Sequence, residues 1–162
     1  MNMEQEILEL LQQNALFKAS EIADRLNISE SEVEAAIAEF EKNGTILGYH
    51  AVVDEEKVNN DNKVTALIEI KLTPERQGGF DRHAIRIAKF DQVTSCYLMS
   101  GGYDLGAIVE GKTLNDVARF VSEKLSTIEG VVATSTHFQL KVYKQSGFLA
   151  SDCAEEQRPP VS

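Results

Sequence analysis

The run Ser-Gly-Gly-Tyr-Asp at residues 100–104 has the residue types that could hold a small charged molecule. Gly101 and Gly102 allow positive φ angles, so that their backbone N–H groups can turn outward and bind a carboxylate. Asp104 could accept hydrogen bonds from an ammonium group. A zwitterionic amino acid carries both groups close together, so the run is compatible with such a ligand. The alternative from the residues alone is a plain two-residue hairpin turn, for which Gly-Gly is a common choice.

Other kinds of catalytic or metal-binding chemistry lack residues at the required spacing. His50, His83 and His137 stand far apart in the sequence, and none has a second ligand at metal-binding spacing on a helix. Cys96 and Cys153 form no C-x-x-C pair, and the sequence has no G-x-S-x-G, phosphate-loop or G-x-G-x-x-G motif. We therefore predict a protein without a metal, a cofactor or catalytic residues, which is not an enzyme.

Residues 29–44, SESEVEAAIAEFEKNG, have the pattern of an amphipathic helix with an unusually acidic surface. Ser29 and Glu32 form an S-x-x-E capping box at its start, and Asn43-Gly44 is a typical stop. Five glutamates lie along the helix before its single cation, Lys42. The apolar stripe repeats at i, i+4 and i+7, at Val33, Ile37 and Phe40.

Two shorter helices precede this one, and a β-rich run follows it. Residues 3–13 and the run that begins at Ser20, its expected N-cap, carry apolar residues at helical spacing, and Asn27-Ile28 predicts a tight turn. Residues 45–53, TILGYHAVV, are β-branched and aromatic, which indicates a two-stranded wing or a strand that leaves the domain. Three helices, a turn and a β-element predict a winged helix-turn-helix at residues 1–53.

The rest of the chain predicts an α+β domain. Residues 54–63 are polar and charged and are expected to be a linker. Residues 64–145 predict a βαββαβ ferredoxin-like domain, in which two helices cover one face of an antiparallel sheet. Its strands and helices are expected, in chain order, at 64–72, 80–90, 93–100, 103–111, 113–128 and 131–144. Residues 146–162, which contain Pro159-Pro160, are expected to be a disordered tail.

The charge of the chain is negative and unevenly distributed. The net charge is −10, and residues 1–53 hold three basic residues against ten acidic ones. This composition argues against a generally cationic nucleic-acid binder. The N-terminus lacks a cationic signal-peptide start and no apolar run reaches membrane-spanning length, so we expect a cytoplasmic protein without a membrane partner.

Four segments together have the features of one family of regulators. They are EIADRLNISESEV, GTILGYHAVVD, VTSCYLMSGGYDL and IEGVVATSTHFQLKVYK. The resemblance that they carry extends over about residues 3–145. Through them the chain resembles the leucine-responsive regulatory protein/asparagine synthetase regulator (Lrp/AsnC) family of bacterial and archaeal transcription factors. The V-x-x-C-x-x-x-x-G-x-Y-D run is the most specific part of the resemblance.

The resemblance implies a small-molecule effector and a homo-oligomer. In the family the C-terminal domains pair through their sheets, and the homodimers assemble into tetramers or octamers. Amino acids or similar small molecules bind at dimer–dimer contacts and alter assembly or DNA affinity. The positions that match the family's effector loop and last strand are Leu98, Gly101, Gly102, Asp104, His137 and Gln139. Many members carry a side chain where Gly102 stands, so the resemblance does not identify the ligand.

The resemblance also implies contacts with double-stranded DNA. Rotation by 100° per residue points Ser31, Ala35, Ala38 and Lys42 outward from the acidic helix. The positions expected to face DNA are Lys18, Ser20, Arg25, Ser29, Ser31, Ala35, Ala38 and Lys42. The chain departs from the family here, because members commonly have arginine around Ala35, Ala38 and Glu39. Small side chains permit close approach to the groove, but each carboxylate that faces a phosphate lowers affinity.

Three functions are compatible with these observations. The first is a DNA-binding transcriptional regulator that responds to an amino acid or a similar metabolite. The second is a metabolite-binding protein of the same fold that has lost DNA binding, as an acidic recognition helix would suggest. The third is an enzyme like the sirohaem decarboxylases, which share this architecture. Such an enzyme needs a cluster of cationic and histidine side chains, and the nearest candidates here are Arg82, His83 and Arg86.

Overall fold

The chain folds into two compact units. The computed structural model describes residues 2–58, 63–74, 76 and 79–151, so Cys153 and most of the predicted tail lie outside the described residues. The two units are Met1–Ala51 and Val52–Ser162. In the ranges that the structure describes, no helix has both the length and the apolar character that a membrane span requires.

The N-terminal unit consists of three helices around a small apolar core. They are α1 (Met3–Gln13), α2 (Ala19–Leu26) and α3 (Glu30–Asn43). Their inward faces supply its buried residues, which are Ile7, Leu11, Ile22, Ala23, Val33 and Phe40. Ile37, the remaining member of the predicted α3 stripe, is partly buried against this core. The helical spacing read from the sequence is therefore confirmed.

Hydrogen bonds at the start of α3 form the predicted capping box. The Ser29 hydroxyl accepts from the Glu32 backbone N–H at 3.3 Å, and the Glu32 carboxylate accepts from the Ser29 N–H at 2.9 Å. At the other end, Gly44 has a φ of 78°, a left-handed conformation that glycine adopts without a steric penalty. Both predicted ends of this helix are confirmed.

The predicted start of α2 is wrong by two residues. Lys18, rather than Ser20, occupies the N-cap position, and its backbone N–H donates to the Glu21 carboxylate at 2.8 Å. A carboxylate three residues into the helix can satisfy this N–H without a serine at the cap. The turn between α2 and α3 is where the sequence predicts it, because Asn27 takes the left-handed conformation with a φ of 55°.

Residues 45–53 form no strand in the described part of the chain, which corrects the predicted wing or exit strand. A strand needs a neighbouring backbone with which to form a ladder, and this segment has none within the described single chain. Its side chains are also poorly covered, since Leu47 is 97% exposed and Tyr49 is 50% exposed. The helical part of the predicted domain is therefore formed without its β-part.

The C-terminal unit is built on a four-stranded antiparallel sheet. The elements are β1 (Val64–Leu72), α4 (Asp81–Ala88), β2 (Val93–Leu98), β3 (Leu105–Gly111), α5 (Leu114–Phe120) and β4 (Val131–Phe138). The strands lie side by side in the order β2-β3-β1-β4, which confirms the predicted βαββαβ arrangement. α5 continues into one π-helical turn at Val121–Leu125.

The chain after β4 differs from the prediction. β4 ends at Phe138 rather than at residue 144, and a short hairpin follows it. This hairpin pairs β5 (Lys144–Gln145) with β6 (Phe148–Leu149). Ser146 and Gly147 connect the two strands with φ angles of 49° and 89°, as the common two-residue hairpin turn requires. Residues 146–149 are therefore ordered and do not belong to a disordered tail.

Alternate residues of β1 face opposite sides of the sheet. The residues on the helix-covered side, Ala66, Ile68, Ile70 and Leu72, are buried in the core of the unit. Helix residues complete that core, among them Ile87, Val117 and Phe120. The residues of β1 on the opposite side, which we call the open face, are Thr65, Leu67, Glu69 and Lys71.

Asp104 fastens the 99–104 loop to the end of β1. The β1–β4 register shifts between Lys71 and Leu72, and the paired register of β1 with β3 ends at Ile70. There the Asp104 carboxylate accepts from the Leu72 N–H at 2.7 Å, and the Asp104 N–H donates to the Ile70 carbonyl at 3.0 Å. Lys71 Nζ lies 3.5 Å from the other carboxylate oxygen. These contacts position the loop that the sequence proposes as an effector site.

Asp54 joins the start of the C-terminal unit to its C-terminal end. Its carboxylate accepts from the Ser151 backbone N–H at 3.1 Å and from the Glu56 N–H at 3.1 Å. Hydrogen bonds from Ser151 lower the pKa of Asp54 below its usual value, and donation from Glu56 and the charge of Lys57 act in the same direction. The segment after the β5–β6 hairpin is thereby held to the beginning of the unit.

Replacing Asp104 with alanine should destabilise the C-terminal unit. Leu72 is 3% exposed, so its N–H would be left buried without an acceptor. We expect a loss of about 1–3 kcal/mol in the free energy of unfolding, measured by urea denaturation. Asp104→Asn keeps an oxygen acceptor and should lose less. Equal stability of Asp104→Ala and the unsubstituted protein would contradict the role of this hydrogen bond.

The attachment of Ser151 to Asp54 should weaken in acid. Because the pKa of Asp54 is lowered in the folded chain, the contact stabilises the fold above the usual aspartate pKa. That contribution is lost as the pH falls through the lowered value. Hydrogen exchange at the Ser151 amide should therefore show extra opening in acid, beyond its intrinsic pH dependence. The control is Asp54→Asn, which should show no such step; the same step in both proteins would contradict the assignment.

Candidate nucleic-acid interface and effector site

The outward surface of α3 is exposed as the sequence predicts. Ser31, Ala35, Ala38 and Lys42 are all exposed. The other residues expected at the DNA-facing surface differ in accessibility: Lys18, Arg25 and Ser29 are exposed, whereas Ser20 is partly covered. The Ser29 hydroxyl is also engaged, because it donates to the Glu32 carboxylate at 2.6 Å.

Three of the five α3 glutamates have a structural role. Hydrogen bonds from the Ser29 side chain and backbone lower the pKa of Glu32, so this cap remains charged. Glu39 lies 3.8 Å from Lys42 Nζ, which offsets the single cation of the helix. Glu41 accepts from the Tyr49 hydroxyl at 3.1 Å, and burial together with this contact raises the pKa of Tyr49. The exposed surface of α3 is therefore strongly negative.

Arg25 is held in place by an aromatic ring that the sequence reasoning missed. Its guanidinium carbon lies 4.4 Å from the centre of the Phe17 ring, within the range of a cation–π contact. Arg25 belongs to the last turn of α2, and Phe17 precedes that helix. The contact restrains the cation on the surface of the unit, while Lys18 is exposed beside the start of the same helix.

Four of the expected effector residues gather at one end of the sheet. Leu98 ends β2 and is 62% exposed, and Gly101, Gly102 and Asp104 follow in the loop to β3. Gly101 has a φ of 120°, whereas Gly102 does not adopt the positive φ that the sequence reasoning expects. A Cβ added at either glycine would meet no atom within 4 Å. The loop is therefore open, and only its first glycine has a conformation that favours glycine.

Asp104 does not present a free carboxylate to a ligand. The Leu72 N–H and the Lys71 ammonium contact its two oxygens, and the side chain is 14% exposed. A ligand ammonium would have to compete with Lys71 for the same oxygen. Lys71 was not among the expected site residues. The sequence feature that could have identified it is its place among the alternating polar positions of β1. In this geometry Asp104 positions the loop.

His137 and Gln139 lie away from this loop. His137 pairs across the sheet with Leu67, and the Gln139 N–H donates to the Thr65 carbonyl at 2.9 Å. Thr65 lies near the start of β1 and Lys71 near its end, about 20 Å apart at the rise of an extended strand. Within one chain, therefore, Gln139 and Asp104 are too far apart to contact the same amino acid.

The surroundings of His137 and Gln139 are polar. His137 Nε2 lies 3.5 Å from Glu69 Oε1 and 3.3 Å from the Ser135 hydroxyl. Gln139 borders a cavity of about 290 Å³, together with Thr65 and Lys141. Among the described residues, no three or more His, Cys, Asp or Glu side chains are grouped to hold a metal ion.

Family models match both units of the chain. A model described as winged helix-turn-helix DNA-binding matches residues 3–46, and one described as Lrp/AsnC ligand binding domain matches residues 65–149. The HTH-type transcriptional regulator YugG of Bacillus subtilis (strain 168) is 45% identical over 159 residues, covering 98% of this chain and 96% of that protein.

Solved structures share the fold at lower identity. The crystal structure of MtbAldR has a TM-score of 0.75 at 22% identity and covers 90% of this chain and 97% of that one. The transcriptional regulator NMB0573 from Neisseria meningitidis, solved as a complex with L-Met, has a TM-score of 0.64 at 24% identity. It covers 90% of this chain and 92% of its own. The ligand-binding model matches more than half of the chain, and the relative YugG is 45% identical to it. The chain therefore belongs to the Lrp/AsnC family of transcriptional regulators.

Proposed function

We propose that the chain regulates transcription by binding double-stranded DNA through its N-terminal unit, and that an amino acid or similar metabolite alters its assembly. One observation carries this proposal: a DNA-binding family model matches the N-terminal unit, and a ligand-binding family model matches the C-terminal unit. The protein acts in the cytoplasm without a cofactor and is not an enzyme. Its relative YugG is likewise named as a transcriptional regulator.

DNA binding draws its positive charge from α2 and its neighbourhood. Lys18 and Arg25 are exposed at the two ends of this helix. In helix-turn-helix proteins the corresponding helix crosses the phosphate backbone. The small outward residues of α3, Ser31, Ala35 and Ala38, allow its backbone to approach the groove. A glutamate of α3 can accept from cytosine N4, which would allow base selection. The affinity of one copy is low, because few cations face many carboxylates.

Assembly compensates for this low affinity. A homodimer that forms tetramers or octamers presents several N-terminal units, whose weak contacts add up through effective concentration. The open face of the sheet offers a mixed surface to a second copy, since Leu67 and the 57% exposed Tyr97 of β2 lie on it among polar side chains. Pairing of C-terminal domains through their sheets in the Lrp/AsnC family supports this arrangement.

The effector site is shared between copies of the chain. The 99–104 loop lies at one end of β1, whereas His137 and Gln139 lie towards the other end, so we expect a second copy to bring the two groups together. A site of this kind exists only in the assembly, and ligand binding therefore shifts the assembly equilibrium. The complex of the similar regulator NMB0573 with L-Met supports an amino acid as the ligand class.

The acidic surface of α3 favours one alternative function, a metabolite-binding protein that no longer binds DNA. The sirohaem-decarboxylase-like alternative is less compatible with the site. Of its candidate residues, His83 is 8% exposed, and its ring nearly touches Gly130, where an added Cβ would lie 2.6 Å from Nε2. A ring packed in this way is not presented to a large tetrapyrrole.

DNA affinity should depend on the cations near α2. Lys18→Gln and Arg25→Gln should each weaken DNA binding and lower the slope of log K against log salt by about one for each phosphate that the variant no longer neutralises. Fluorescence anisotropy with labelled duplex at several salt concentrations measures both quantities. Lys141→Gln, an exposed cation of the C-terminal unit, is the matched control. A salt slope unchanged in both α2 variants would contradict the proposed phosphate binding.

The shared effector site can be tested by mixing variants. Leu98→Glu and His137→Ala should each abolish saturable binding of L-Met or of the amino acid that binds best, measured by isothermal titration calorimetry. After the two variants are mixed and reassembled, about a quarter of the sites should recover, because each site draws its two ends at random from different copies. Recovery of none of the sites would contradict a site shared between copies.

A further inference from the structure

A cavity of about 450 Å³ lies in the C-terminal unit between the end of β3 and α5. The lining residues that matter for its chemistry are Glu110, Lys112, Asp116, Arg119, Phe120 and Lys124. Its volume is in the range of small-molecule sites. The cavity is separate from the 98–104 loop, because the two lie at opposite ends of β3, about 20 Å apart at the rise of an extended strand.

Two of the carboxylates at this cavity are already committed. Glu110 Oε1 lies 3.1 Å from Lys63 Nζ, which also lies 3.0 Å from Glu55. The hydrogen bond with Glu55 is the largest cause that raises the pKa of Lys63, and the contact with Glu110 acts in the same direction. Lys63 therefore stays charged beside Glu110. Asp116 accepts from the Thr113 backbone N–H at 3.0 Å as part of the α5 cap. Glu110 is therefore balanced by Lys63, whereas Asp116 keeps its negative charge at the cavity, because a neutral N–H donor does not neutralise a carboxylate.

Three cations, Lys112, Arg119 and Lys124, border the same cavity. Among the residues that the structure describes, Lys112, Arg119 and Lys124 make no ion pair within 4.0 Å. All three side chains are exposed. Glu123 is the remaining carboxylate of the lining and likewise has no ion pair in the described chain. Apart from Glu110, which pairs with Lys63, the charged groups of the lining are thus three positive charges and two negative charges, those of Asp116 and Glu123.

One aromatic residue, Phe120, lines the cavity beside these cations, and it is 5% exposed. The rings of Phe120 and Phe90 meet edge to face, with centroids 5.3 Å apart and planes at 83°. Lys124 Nζ lies 5.9 Å from the centre of the Phe90 ring. A molecule in this cavity could therefore place an apolar part against Phe120 and an anionic group against Arg119 and its neighbouring lysines.

We infer that this cavity binds a small organic anion, a carboxylate or phosphate ester on a compact apolar body. The three lining cations that make no ion pair within the described residues favour an anionic group, which distinguishes this ligand from the zwitterionic amino acid proposed for the shared site. A guanidinium beside two ammonium groups suits either anionic group, because arginine binds both in a forked geometry. The cavity is formed by a single chain, so binding does not require assembly.

The test is isothermal titration calorimetry of the full chain with phenyl phosphate, phenylacetate and inorganic phosphate. Saturable binding of phenyl phosphate or of phenylacetate is expected, and the one that binds more tightly identifies the anionic group. Arg119→Gln should weaken this binding by about tenfold or more, because it removes a charge-assisted hydrogen bond to the anion. Arg86→Gln, which removes an exposed cation of α4 outside the cavity, should leave it unchanged.

Three outcomes would overturn the inference. They are the absence of saturable binding by either organic anion, an equal loss of affinity in Arg86→Gln and Arg119→Gln, and binding of inorganic phosphate as tight as that of phenyl phosphate. The second outcome would indicate general charge attraction, and the third would show that contact with Phe120 adds nothing to binding. Lys112→Gln provides an independent variant, which should weaken binding in the same direction. None of these outcomes depends on DNA binding or on the shared effector site.

Discussion

Electrostatic repulsion between α3 and the phosphate backbone constrains how this regulator can bind DNA. Glutamates that cap the helix, pair with Lys42 and hold Tyr49 contribute to its local structure, so the negative charge is part of the unit's construction. In the proposed function, affinity then comes from Lys18 and Arg25, from close approach of the small α3 residues, and from several copies acting together. A single unit with this charge distribution would bind DNA weakly.

The proposed function gives the C-terminal unit the same dependence on assembly. Within the described residues its sheet has one face without helices, and the residues expected to bind the effector lie towards opposite ends of β1. Asp104, which the sequence predicts to contact a ligand, instead fastens its loop to β1. A ligand that bridges copies would change the number of N-terminal units that reach DNA together. The proposed function thus links ligand sensing and DNA affinity through one equilibrium.

Local patterns in the sequence predicted the parts of the fold that depend on neighbouring residues. The capping box at Ser29, the stop at Gly44 and the alternating burial of β1 each arise within a few residues. Contacts over long sequence distances were missed: Asp104 reaches Leu72, and Asp54 reaches Ser151. The wing needs a second backbone, and the separation of Gln139 from Asp104 follows from the strand order, which residue types alone do not reveal. The hairpin at residues 144–149 had a usable local signal in Ser146-Gly147.

The most direct test of the central claim is selection of genomic DNA fragments by the purified full chain, at low and moderate salt, with and without a pool of amino acids. Weak cationic contacts summed over an assembly predict sequence-selective recovery at low salt, a steep loss at moderate salt, and a change in recovery when amino acids are added. Recovery of no enriched fragment under any of these conditions would contradict DNA-dependent regulation.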